Sequence, residues 1–318
     1  MSDFNHIQVQ TVTGVQTYDH PIIADAHNHV WISQGLSPLL NAPALHDFDK
    51  SLSELQAYKL SGGQVILDCQ PVGCGRDGNK LFQLSESSGV SIICCTGFHR
   101  KIYYPNDSQF WKLSTEELTK IFITEIQEQI IESEQSQNAI KAGFIKVAAE
   151  STLEKTPKFM LEAAANAAIQ TKSAIEIHTE KGGDAESIIR YFTDKGVAAN
   201  KLVLCHIDKR TDLGLHIEFA QEEVLLEYDT FFRSKYDPEN NVWPLLLKMV
   251  NLGFDNQICL ATDFAESEYW ISYGGSPGLA ALATHIKPRL QEFNFPTETI
   301  ANLLGNNILT RIALSNHT

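Results

Sequence analysis

Two histidines one residue apart close an apolar run, Ile22-Ile23-Ala24-Asp25-Ala26-His27-Asn28-His29. Residues i and i+2 of a strand project to one face, so the two imidazoles can hold a single metal ion. A lone His-x-His pair also occurs in turns and on surfaces, so its meaning depends on what the rest of the chain supplies. Later apolar runs carry polar residues of the same kind: Lys146 inside Gly143-Phe144-Ile145-Lys146-Val147-Ala148, then His178, His206 and finally Asp263. Singly, His178 or His206 reads as a hydrogen-bonded rim histidine and Asp263 as a helix cap. Together, four histidines, a lysine and an aspartate fit two divalent cations bridged by hydroxide, with zinc first and manganese, cobalt or iron also suitable. Lys146 is the hardest to explain blandly, because a buried ammonium is costly unless paired or neutralised. Either it is a depressed-pKa amine that forms a Schiff base, or carbon dioxide carboxylates it into an anionic ligand bridging two metals. Four rim histidines favour the second, since an aldolase has no need of them.

The elements that must position these residues are short apolar runs at Ile22–Ala26, Val65–Cys69, Ser91–Thr96, Phe144–Ala148, Ala174–His178, Leu202–His206, Val224–Tyr228 and Ile258–Thr262. Runs this apolar read as parallel strands buried on both faces. Helical segments lie between them. Ser114-Thr115-Glu116-Glu117 is a capping box opening an amphipathic stretch to Gln137, Pro157 starts an alanine-rich helix through Gln170, and Asp184–Lys195 is closed by Gly196. Eight such units without a low-complexity linker predict one α/β domain over residues 1–318, a (β/α)8 TIM barrel. No glycine-rich phosphate loop follows the first strand, which disfavours a doubly wound sheet. Ile7–Tyr18, centred on Gly14 within an extension over residues 1–20, reads as a short hairpin placed to plug the barrel floor. The polar strand ends then converge on the C-terminal rim, where such barrels keep their active sites.

The chain has 318 residues, with 25 Lys+Arg against 39 Asp+Glu and a net charge of −14, which argues against nucleic acid or an anionic membrane as the partner. Its six cysteines (Cys69, Cys74, Cys94, Cys95, Cys205 and Cys259) lack Cys-x-x-Cys spacing and mostly lie in strand-like runs, as buried thiols of a reducing compartment do. Met1-Ser2-Asp3-Phe4-Asn5 has no leader character and no apolar run could span a bilayer, so a cytoplasmic location is expected.

The motifs Ala26-His27-Asn28-His29, Gly73-Cys74-Gly75-Arg76-Asp77, Thr96-Gly97-Phe98, Gly143-Phe144-Ile145-Lys146, Ile177-His178-Thr179, Cys205-His206-Ile207-Asp208, Ala261-Thr262-Asp263 and Tyr273-Gly274-Gly275-Ser276-Pro277-Gly278 are specific as a set. On them the chain resembles the phosphotriesterase-like branch of the amidohydrolase superfamily, from the N-terminal hairpin to the C-terminal helix. The resemblance implies that His27, His29 and Asp263 hold the more buried of two metals, that His178 and His206 hold the more exposed one, and that carboxylated Lys146 and a hydroxide bridge them. It also implies that Asp263 accepts the hydroxide proton as the catalytic residue. The usual His-Glu-His reads His27-Asn28-His29 here, and the usual Asn-Pro near the C-terminus reads Asn306-Asn307.

Such a site hydrolyses lactones, esters, amides or phosphotriesters, and the loops choose among them. The loop after the seventh strand places Arg233, Lys235 and Tyr236 at the mouth of an acidic protein, and Lys209-Arg210 follows the sixth. These cations suit an anionic substrate, such as a phosphorylated sugar lactone. The bland alternative is a solvated loop pairing with Asp229, Asp237 or Glu239. Phe98–Leu113 carries Phe98, Tyr103, Tyr104, Phe110 and Trp111, and reads as a lid in which Tyr103 touches substrate or, more often for such loops, as an aromatic anchor. Trp270 and Tyr273 are similar cases, and Arg76 and Asp77 read as a structural ion pair or cap. A lactonase is the leading expectation, with a small lactone or ester as partner; a homodimer is compatible with such a barrel. A phosphotriesterase, an ester or amide hydrolase, a Schiff-base aldolase and a non-catalytic binding protein remain as alternatives. Borohydride reduction in the presence of a carbonyl substrate is expected to leave Lys146 unlabelled; covalent labelling there would select the aldolase.

Overall fold

The computed structural model describes residues 6–314 apart from 20, 36, 40 and 135–137. Its first two strands, β1 (Ile7–Thr11) and β2 (Gly14–Tyr18), pair antiparallel as a hairpin. Eight parallel strands follow in sequence order: β3 (Ala24–Asn28), β4 (Val65–Asp68), β5 (Ser91–Gly97), β6 (Phe144–Ala148), β7 (Ile175–His178), β8 (Leu202–Cys205), β9 (Leu225–Tyr228) and β10 (Ile258–Leu260). The Asp263 amide donates to the His27 carbonyl at 2.9 Å, joining the last strand to the first. Helices α1 (Phe48–Leu60), α2 (Gly78–Ser88), α3 (Thr115–Gln127), α4 (Lys158–Thr171), α5 (Ala185–Asp194), α6 (Leu213–Gln221), α7 (Val242–Asn251), α8 (Lys287–Glu292), α9 (Thr297–Ala301) and α10 (Asn307–Ile312) complete the chain. The (β/α)8 barrel and its hairpin are as the sequence predicts.

Alternation along the strands separates two cores. Ile145 and Val147 of β6, Ile175 and Ile177 of β7 and Leu202 and Leu204 of β8 pack outward with the helices. Val65, Leu67, Ile93, Phe144, Val203, Leu225 and Cys259 fill the barrel interior. Ile7 and Val9 of the hairpin join that interior layer with Ile308 and Leu309 of α10, and so cover the floor. All six cysteines are buried free thiols.

The predicted amphipathic helix is shorter than its pattern. Ser114 forms the capping box with Glu117, but α3 ends at Gln127 instead of reaching Gln137, which lies outside the described residues. The reason is Arg76, whose buried guanidinium draws in two carboxylates. Glu125 accepts at 2.6 and 2.9 Å, and Glu132, beyond the helix end, accepts at 2.6 and 3.0 Å. The chain turns at Glu128 so that both acids reach one cation. The adjacent Asp77 caps α2 through the Lys80 amide, so Arg76 and Asp77 supply an ion pair and a cap. Removing one partner of a buried pair typically costs about 3–5 kcal/mol. Arg76→Met is therefore expected to lower the urea midpoint by an equivalent amount, and a midpoint within error of the parent would contradict this account.

Candidate metal centre

The inward parity that fills the floor with apolar groups delivers donors nearer the rim. Lys146 follows Phe144, Glu176 and His178 share a face of β7, and Asp229 continues the parity of Leu225 and Glu227. The first strand needs a correction. Ala24 and Ala26 face the interior, so simple alternation would turn His27 outward. A register irregularity between Asp25 and Asn28 changes the parity, and His27 and His29 enter the barrel together. Asp25 and Asn28 are left to hydrogen bond with each other and with Thr262. Asn28 thus joins a buried network and takes no place among the donors. His206 and Asp263 both hold left-handed backbones, at φ of 63° and 49°. Non-glycine residues keep such conformations where surrounding structure imposes them, commonly at functional sites.

Donor atoms of His27, His206 and Asp263 lie within 4.8 Å of one another. Asp263 Oδ1 is 3.7 Å from both His27 Nε2 and His29 Nε2, and Oδ2 is 3.7 Å from His206 Nδ1. The His178 ring stands 4.7 Å from that of His206, at the more open edge of the cluster. Lys146 is fully buried, with Nζ 3.3 Å from His27, 3.2 Å from Cys205 Sγ and 3.5 Å from Glu176. All six predicted donors therefore meet at one end of the barrel.

Each histidine has an acceptor at its back. His27 Nδ1 bonds Glu227 at 2.9 Å, His29 Nδ1 bonds Gln70 at 2.8 Å, His206 Nδ1 bonds Asp229, and His178 Nε2 bonds Glu180 at 3.0 Å. Such contacts fix the tautomer, with the proton on the bonded nitrogen, and leave an unprotonated Nε2 on the first three rings and an unprotonated Nδ1 on His178. Burial lowers the pKa of all four, most specifically to about 4 for His29, so each is neutral near pH 7, the form that ligates. Burial would raise the Asp263 pKa, but Arg233 beside it holds the carboxyl below its usual range. For Lys146, burial would lower the pKa, but neighbouring Cys205, Cys69, Glu176 and Glu227 push it up. Buried carboxylate oxygens of Glu176, Glu227 and Asp229 have no hydrogen-bond partner among the described residues. Neutral imidazoles, an ionised aspartate and orphaned acceptors behind them form a donor set suited to divalent cations.

A cavity of about 450 Å³ opens above the cluster, and Tyr103, Arg233, Lys235 and Tyr236 all line it. Arg233 is buried and turned inward. Its Nη2 donates to the Asp263 carboxylate at 2.9 Å and lies 3.8 Å from Glu266, so it does not pair with Asp229, Asp237 or Glu239. Tyr104 stacks on Phe110, Trp111 meets both edge-on, and together they anchor the loop after β5, while Tyr103 faces the cleft. Trp270 is buried and donates to the Phe264 carbonyl, and the Tyr273 hydroxyl accepts the Asp47 amide. Sequence reasoning missed Gln70, His99, Glu176, Glu180 and Glu227. For Glu176 and Glu227 a signal existed, an acid inside an apolar strand two residues before another inward polar group. Gln70, His99 and Glu180 sit in loops whose spacing carries no such mark.

His29 gives a measurable sign. Between pH 6.5 and about 4 the folded metal-free protein binds fewer protons there than the unfolded chain, so this residue's stabilising share is full above 6.5 and falls as pH drops. Imidazole NMR is expected to find its midpoint near 4; a midpoint at the ordinary value would contradict the burial argument. Asp229→Asn, which weakens the support behind His206, is expected to reduce metal affinity roughly 10–100-fold in chelator competition.

The sequence profile of the Phosphotriesterase family matches residues 8–310. Among curated proteins, the chain is 27% identical to a phospho-furanose lactonase of Mycoplasmopsis synoviae (strain 53), over 94% of this chain and 89% of that one. It is 26% identical to an N-acetyltaurine hydrolase of Dictyostelium discoideum, over 88% and 77%. Among solved structures, an amidohydrolase from Mycoplasma synoviae superposes with a TM-score of 0.86 at 26% identity, covering 98% of this chain and 93% of that one. A lactonase from Listeria monocytogenes shares the fold, with a TM-score of 0.87 at 22% identity over 97% and 99%. With the barrel, the inward histidines and this match in agreement, the chain belongs to the phosphotriesterase family and is a metal-dependent hydrolase.

Proposed function

We propose that the enzyme hydrolyses a small anionic lactone, a phosphorylated sugar lactone above others. The observation that carries this reading is the cationic arc beyond β8 and β9. Lys209, Arg233 and Lys235 line the cleft of a protein whose net charge is −14. The ammonium groups of Lys209 and Lys235 lie 5.7 and 5.1 Å from the Tyr236 ring centre, and neither joins an ion pair among the described residues. The relatives support it too, since a phospho-furanose and an N-acetyltaurine both carry an anionic group. An anionic amide is accordingly the second reading of the same site.

His27, His29 and Asp263 would hold one cation and His178 and His206 the other, with carboxylated Lys146 between them. When bound, two divalent cations supply Lewis acidity and lower the pKa of water. Asp263 is the proton carrier, because Arg233 keeps its carboxylate ionised and aimed at the histidine cluster. It takes a proton from the attacking water and returns it to the alkoxide released when the lactone opens. Lys209 and Tyr236 bind the anion, while Lys235, exposed at the rim, draws it in.

The test is hydrolysis of phosphorylated and neutral sugar lactones, N-acetyltaurine and a phosphotriester by manganese- or zinc-loaded protein with bicarbonate present. Lys209→Met and Tyr236→Phe are expected to raise KM for the phosphorylated lactone by roughly 10-fold or more while sparing the neutral one. Arg233→Met is expected to lower kcat on both, because Asp263 loses its partner. Equal effects of Lys209→Met on charged and neutral lactones would remove the anionic reading.

A further inference from the structure

The cleft has a second polar end. His99 follows β5, the third of the eight barrel strands, and Arg233 and Tyr236 follow β9, the seventh. Third and seventh positions stand across the ring from each other, with the histidine cluster between them, and both groups line the same cavity. A molecule held by its anion beyond β9 and cleaved at the centre therefore extends its other end toward His99.

The position of His99 is set by its surroundings. Gly97 lets the chain pass close over β6, since a Cβ there would meet the Lys146 carbonyl oxygen at 1.9 Å, and the Phe98 amide bonds that same oxygen at 2.8 Å. The His99 amide then donates to the buried Tyr104 hydroxyl at 3.0 Å. His99 Nδ1 accepts the Arg100 amide at 2.7 Å, which places the proton of the neutral ring on Nε2. The ring is packed edge-on against Tyr103 at 4.6 Å and lies 5.4 Å from the His178 ring. Arg100 ties the loop to its neighbours after β6 and β7 through Glu150 at 3.0 Å and Glu180 at 2.8 Å. What remains is an oriented N–H donor on the cavity wall with no protein acceptor among the described residues, next to a phenol.

We propose that His99 Nε2–H, with Tyr103 beside it, binds a hydroxyl oxygen at the end of the substrate remote from its anionic group, and so selects hydroxylated lactones over deoxy or alkyl analogues. This rests on the anionic-lactone reading and narrows its substrate class. A hydroxyl satisfies the donor, whereas an alkyl group strands it, and sites built to bond a hydroxyl discriminate strongly against its absence.

The experiment compares kcat/KM for phosphorylated ribonolactone, its deoxy analogue and N-acetyltaurine, with metal content measured for every variant. The parent enzyme is expected to prefer the hydroxylated lactone by roughly 10-fold or more. His99→Phe is expected to remove most of that preference by a selective loss on the hydroxylated compound, and His99→Gln, which keeps a donor, to restore part of it. If His99→Phe lowers both lactones equally, or the parent shows no preference, the His99 assignment falls while the lactonase reading stands. Hydrolysis of N-acetyltaurine alone overturns both, because its far end is a methyl group. Silence on all three compounds overturns the anionic-substrate reading and the His99 assignment with it.

Discussion

The site depends on the seam where the barrel closes. There β10 meets β3 through the Asp263 amide and the His27 carbonyl, so two of the candidate ligands are joined by the bond that shuts the ring. Asp25 reinforces it from behind. Its buried carboxylate accepts the Thr262 amide at 3.1 Å, the Thr262 hydroxyl at 2.6 Å and the Asn28 side chain at 3.0 Å. Burial still pushes this carboxyl up to about 6, which is why donors around it matter. An amide at position 28 donates to Asp25 where a carboxylate would repel it.

Polarity inside the barrel is layered. The floor is apolar and sealed by the hairpin and α10; above it lie thiols, Lys146, Glu176 and Glu227; above those come the histidines and Asp263. Charged groups in the middle layer are far from water, and an ammonium among carboxylates is one way to make them tolerable. Carboxylate oxygens left without partners point to more positive charge than the protein alone supplies, which suits a centre that completes itself with cations. The histidines, kept neutral by burial and oriented from behind, are ready for that role without a proton to lose.

The rim divides its labour around the ring. Lysines and a buried arginine occupy the side beyond β8 and β9, and a half-buried histidine and tyrosine the side beyond β5. Arg233 shows why charge and position must be read together. Its sequence context suggests a free anion binder, but in the fold its Nη2 holds the Asp263 carboxylate, which ties the cationic side of the rim to the histidine cluster. The aromatic segment after β5 is likewise anchored by Tyr104, Phe110 and Trp111 packing on one another, so Tyr103 and His99 stand beside a packed cluster.

By itself the sequence determined the eight strands and the hairpin and singled out the six polar residues that the fold gathers at one end, because each rests on local alternation and on residue types that apolar strands otherwise exclude. The same local information misjudged the length of α3 and could not assign partners to Arg233. Tertiary structure decided those points through groups distant in sequence: Arg76 calling two glutamates across the end of α3, and Asp263 drawing Arg233 inward. It also decided which way His27 and His29 face. Spacing shows only that they share a face; the irregularity at Asp25–Asn28 that turns this face into the barrel is imposed by register against β4 and by the Thr262 bonds. Residue types and periods are local properties, whereas burial, partners and facing are properties of the closed ring.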